Sequence, residues 1–183
     1  MNYFKWLSGL VALIPGLIIL QKGLALPPGF SPLLLAALVE ISCCFVVAIA
    51  WLNEKSVGRL NLTKLNRSVL LTALAFIVCL FCYLILLSLT TINSPSWGKL
   101  MSIPLWESGM IIGEGGFQNY YNKYGVDELT YLLQTKYKGP VLITEVIVYI
   151  NFILIFVFLT LTFTLLWLRH EAKEKKQNLV KKV

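Results

Sequence analysis

The sequence predicts an all-α integral membrane protein: a four-helix bundle with a structured outer loop that carries a short amphipathic helix. Three observations lead there. Of 183 residues, 57% are hydrophobic and the mean hydropathy is +0.75, above the roughly half-apolar composition of soluble domains. The apolar residues fall into four blocks, each near the ~20 residues that cross a hydrocarbon core as a helix. The charges lie between and after those blocks, where topology determinants belong. A net charge of +7 would by itself admit a nucleic-acid partner. This distribution makes the lipid bilayer the expected partner and direct nucleic-acid contact unexpected. The four spans and one loop fill a single transmembrane domain, residues 1–183.

The first span is expected over residues 4–21, reaching at most Leu26, with Pro15-Gly16 kinking its middle. It is followed by Lys22 and Pro27-Pro28 rather than by a small-residue cleavage site, which reads as a retained helix. Pro27, Pro28, Gly29 and Pro32 form a short link, so the first two spans should be antiparallel neighbours. The second span covers 32–52 and ends at Trp51, an interfacial anchor. Residues 53–67 form a polar loop in which Lys55, Arg59, Lys64 and Arg67 outweigh Glu54. The third span covers 68–91 and the fourth 141–168. The tail, 169–183, is basic and can continue the fourth helix. Lysines and arginines number eleven on the side of the termini and middle loop and five on the other. The positive-inside bias therefore predicts a multi-pass protein of the cell inner membrane with both termini cytoplasmic.

The outer loop, 92–140, is too polar to span and long enough to call for internal structure. In VDELTYLLQTKYKGP, Asp127 can cap a helix that Gly139-Pro140 would stop. Leu129, Leu132, Leu133 and Lys136 share its face, which can rest on the membrane surface or on a neighbour. The stretch SIPLWESGMIIGEGGF can dip into the membrane or pack on the other helices. Trp97, Trp106, Phe117, Tyr120, Tyr121 and Tyr124 have two readings, buried filling of a capping loop or a surface that meets a ligand or partner.

Polar groups inside apolar runs are costly and often functional. Glu40 leads these. It can be protonated between helices, face an aqueous cavity or oligomer axis, or hold a proton or cation. Asn151 lies at similar depth and can hydrogen-bond Glu40, within or between subunits. Lys22 can bend inward to Glu40, although the interface suits it better. Glu145, nearer the outer surface, shares a helix face with Tyr149. Thr160, Thr162 and Thr164 can bond their own backbone. Cys43, Cys44, Cys79 and Cys82 all lie in apolar runs and read as small packed side chains. Cys79 and Cys82 share a helix face that could take a soft metal, but no His or Met flanks them, so no metal and no cofactor is expected.

The topology is similar to that of the disulfide-generating quinone reductases of the bacterial inner membrane. Those enzymes need cysteines in both outer loops, and here neither loop has one. Motifs of metalloproteases, serine hydrolases and phosphate-binding loops are also missing, so no enzyme is expected. Two classes remain. A sensor or scaffold would use the aromatic loop on one side and Arg169, Lys173, Lys175 and Lys176 on the other, for a partner or for anionic lipid. An oligomeric channel would line its pore with Glu40 or Asn151.

In size, four spans and cytoplasmic ends with a basic tail, Arg169 to Lys182, the whole chain resembles the membrane subunit of the Kiwa anti-phage system. The resemblance implies a homo-oligomeric membrane sensor of phage infection that works with a cytoplasmic DNA-binding effector protein, and it transfers no site residues. Small four-span defence proteins that act as membrane-disrupting effectors share the same plan.

Overall fold

The computed structural model describes residues 27–28, 31–52, 61–94, 99–106, 111 and 113–180. The expected first span, Lys22, most of the middle loop and Trp97 lie outside the described residues. Four helices and one hairpin make up the described chain: α1 (Pro32–Leu52), α2 (Leu62–Thr90), β1 (Thr91–Ser94), β2 (Lys99–Ser102), α3 (Phe117–Thr135) and α4 (Lys138–Val180). The fold is all-α apart from the hairpin. α1, α2 and α4 are each long and apolar enough to cross a membrane.

α1 starts where expected. Ser31 precedes Pro32, whose fixed φ suits a first helical position, and the Leu35 N–H donates to the Ser31 carbonyl at 3.1 Å. α2 starts six residues before the expected 68. Asn61 is the reason: its Oδ1 accepts the Thr63 N–H at 3.0 Å, the side-chain cap that satisfies an orphan donor. Lys64 and Arg67 therefore stand in the first turns of α2 rather than in a loop.

Two compact units divide the chain. The first comprises α1, residues 62–80 of α2 and residues 153–180 of α4. Here Ala50, Leu65, Trp167, Leu168 and Ala172 form a buried cluster flanked by Leu62 and Leu165. The end of α1, the start of α2 and the late turns of α4 thus meet. Farther along, the Cys43 thiol of α1 lies against Thr160 of α4. Both contacts advance together along α1 and α4, so these helices run parallel in this unit.

The second unit comprises Pro27 and Pro28, residues 81–90 of α2, the hairpin, α3 and residues 138–152 of α4. β1 and β2 pair antiparallel with Thr91 opposite Ser102 and Ser94 opposite Lys99. The Ile103 N–H extends the ladder to the Thr90 carbonyl at 2.8 Å. Ile92, Ile111, Phe117, Tyr120, Leu129, Leu132, Leu133 and Tyr137 form its core. Leu129, Leu132 and Leu133 share a face as predicted, and that face turns into this core.

The expected amphipathic helix is present and begins beside Asp127, just after Gly125, whose φ 87°, ψ −177° separates it from an unexpected helical stretch that starts at Phe117. Its end comes at Lys136, whose N–H donates to the Leu132 carbonyl at 2.9 Å. Gly139-Pro140 does not stop it; the pair sits in the first turn of α4, where proline's missing N–H costs nothing. The hairpin was not expected at all: its strands are four residues each, too short to show alternation.

Candidate functional site

The aromatic unit is the first candidate. Phe117 is 1% exposed and Tyr120 9%, so these two fill its core and are not presented to a partner. Phe117 meets Tyr137 edge-on at 5.3 Å between ring centroids, the geometry that the ring quadrupoles favour. Tyr121 packs against the same core, half-buried. Trp106 and Tyr124 face outward, 47% and 44% exposed, as does Tyr131 at 67%.

Around Tyr124 a polar clamp holds the glycine-rich turn. The Lys123 Nζ donates to Glu114 Oε2 at 2.8 Å, and the Tyr124 hydroxyl donates to Glu114 Oε1 at 3.3 Å. The same ammonium lies 4.9 Å from the Tyr124 ring centroid, within cation–π range. The Lys123 hydrogen bond holds the Glu114 carboxyl below the usual range, and the Glu114 bond raises Lys123. Gly115 and Gly116 carry φ of 81° and 99°. These left-handed values let the turn bring Glu114 back toward Lys123. Tyr124 was singled out from sequence, but its pairing and that of Lys123 with Glu114 were not, because these residues are nine and ten positions apart with a turn between them.

The second candidate is the late part of α4. Arg169, Lys173 and Lys176 are exposed and recur at spacings of four and three, one helix face. Lys175 belongs to another face, where its Nζ pairs with Glu171 Oε1 at 3.4 Å. His170 Nδ1 lies 3.7 Å from Glu174 Oε1. Glu171 was not singled out by sequence, yet it is only 8% exposed, and its Oε2 is buried without a hydrogen-bond partner. The signal was available: Thr160, Thr164, Trp167, Leu168, Glu171 and Ala172 continue one buried stripe at helical spacing.

Within the apolar helices, Glu40 is half-buried on α1 and Asn151 half-buried on α4. Thr162 and Thr164 donate to the carbonyls of Phe158 and Thr160 at 2.8 and 2.7 Å, as predicted. Thr160 itself makes no such backbone bond; it faces Cys43. Cys43 is buried, Cys79 half-buried, and Cys44 and Cys82 exposed, and none of the four is in a disulfide.

Glu145 and Tyr149 do share a face, on the wall of a small, mostly apolar cleft in the second unit. The Tyr149 hydroxyl donates to the Pro28 carbonyl at 2.5 Å. No protein-family model matches the chain, no curated protein matches its sequence and no solved structure matches its fold.

Proposed function

We propose that the chain is a homo-oligomeric sensor and scaffold of the cell inner membrane, with the aromatic unit outside and both termini in the cytoplasm. In this reading it serves bacterial anti-phage defence, as its resemblance to the Kiwa membrane subunit implies. It acts by docking or controlling an acidic cytoplasmic effector, with no enzymatic step of its own and no direct nucleic-acid contact.

The observation that carries this reading is the late part of α4 (Lys138–Val180), which presents Arg169, Lys173 and Lys176 on an open face. The hydrocarbon core takes up about 30 Å of such a helix. With Arg169 at the headgroups, Lys176 stands about 10 Å beyond it along the axis. That favours a soluble acidic partner for the outer lysines over lipid alone.

The test is co-purification with the tagged full-length chain from its host. A protein retained by wild type and lost with the triple variant R169E/K173E/K176E is the expected result. An identical set of companions in both preparations would sink the reading.

A second reading, an oligomeric channel or membrane-permeabilising effector, rests on Glu40, a half-buried acid amid the apolar residues of α1. It predicts that Glu40→Gln changes conductance in planar bilayers. Sealed bilayers with both proteins would dispose of it.

A further inference from the structure

Residues 103–106 lie where two apolar helices of the second unit end. The Ile103 N–H donates to the carbonyl of Thr90, the last residue of α2, at 2.8 Å. The Leu105 N–H donates to Thr144 Oγ1, in the second turn of α4, at 2.9 Å. Thr144 is buried and itself donates to the Pro140 carbonyl at 3.0 Å, so its hydroxyl is a fixed anchor. Ile103 packs on the core and Pro104 is buried. The next two side chains turn out, with Leu105 39% and Trp106 47% exposed. The two backbone ties hold this apolar pair outward.

Their level along the helices identifies what they meet. On α4, exposed Lys138 is followed by exposed Leu142, Ile143, Val146 and Ile150, spacings that make one apolar face. Near the end of α2, Ile85 and Leu89 are exposed as well. Both helices are long and apolar enough to cross a membrane, so these faces meet acyl chains. Thr144 stands six residues past Lys138, about 9 Å at the helical rise. The headgroup layer on each side of a bilayer is about 5–7 Å thick. With Lys138 at the phosphates, Leu105 and Trp106 fall at the boundary of headgroups and hydrocarbon. That is where the indole, an apolar ring with one N–H donor, concentrates. A soluble partner reaches that level only by displacing lipid.

We propose that Leu105 and Trp106 form a bilayer contact. Leu105 enters the upper acyl chains, and the Trp106 ring lies at the ester level of the phospholipid, its Nε1–H donating to ester oxygens. The contact sets how deep the second unit sits on the membrane. It rests on α2 and α4 crossing a bilayer and stands apart from what the tail recruits.

The experiment records tryptophan emission of the full-length chain in vesicles of phosphatidylcholine and phosphatidylglycerol. The phosphatidylcholine is brominated either on the upper acyl carbons or near the chain ends. Subtracting the emission of Trp106→Phe isolates Trp106 from the other tryptophans, five being present in all. That difference should be quenched several-fold more by upper-chain bromines than by chain-end bromines, and little by aqueous iodide. Strong iodide quenching with no effect of either lipid would put the ring in water and overturn the contact. Stronger quenching by chain-end bromines would overturn the assigned level. Quenching by none of the three would mean that protein covers the ring, a second copy or another partner, and would overturn the contact equally. Should Trp106→Phe not fold, Trp106→Tyr supplies the subtraction.

Discussion

Lys123 and Glu114 sit on the surface of the aromatic unit, and their pairing is a matter of pH. The Glu114 carboxyl is lowered by its bond to Lys123, so its contribution is present above its unfolded value and is lost as pH falls through the lowered one. Lys123 is raised, so its contribution is present below its unfolded value and is lost only as pH rises through the raised one. The pair therefore acts across neutral pH and fails first in acid. Thermal melts of wild type and Lys123→Met should differ by a constant small margin between about pH 6 and 9. That margin should close below about pH 4 and shrink in high salt, because the pair is solvent-exposed. Phe117 is a different kind of residue, wholly buried against Tyr137. Phe117→Ala should destabilise the second unit by about 3–5 kcal/mol, read by denaturant melts in detergent, since truncation removes apolar contact and leaves a cavity.

At the scale of elements, two backbone positions decide where helices begin and bend. Gly125 interrupts α3 at φ 87°, ψ −177°, a region open in practice only to glycine. A Cβ there would meet no atom within 4 Å, so Gly125→Ala isolates the backbone cost, about 1–3 kcal/mol. Hydrogen exchange should show earlier opening of residues 117–135. Asn61 caps α2, and Asn61→Ala should cost about 1 kcal/mol, with fraying confined to the first turn. Periodicity revealed the leucine face of α3 because Leu129, Leu132 and Leu133 obey helical spacing. It could not reveal the helical stretch from Phe117 that precedes Gly125, because FQNYYNKYG is polar, aromatic and glycine-ended, and Phe117 and Tyr120 dock it in the core.

For the whole molecule, the alternation of α1, α2 and α4 makes a topology prediction. Reporter fusions should place Gly113 and the end of α4 on opposite sides of the membrane, with the α4 end and the 53–60 loop on the same side. A reporter at Gly113 sharing the compartment of the tail would contradict the proposed orientation.

Sequence alone determined that this chain is helical with segments apolar enough to cross a membrane, and it placed both ends of one span, 32–52, and the far end of another, 68–91, to within a residue. Burial of about 20 apolar residues is a one-dimensional property, legible without any contact. The basic tail was legible in the same way, but Lys175, named with Arg169, Lys173 and Lys176, pairs with Glu171 on another face. Only the tertiary structure decided which aromatics are core and which are surface. Phe117 and Trp106 are chemically alike, and burial depends on what packs against each. Only the tertiary structure joined Glu114 to Lys123 and Tyr124, buried Glu171 in the tail, and gathered Pro28, Thr90, Ser102 and Glu145 around one cleft. Those groupings arise where the chain turns back on itself, and no local spacing encodes the turn that brings them together.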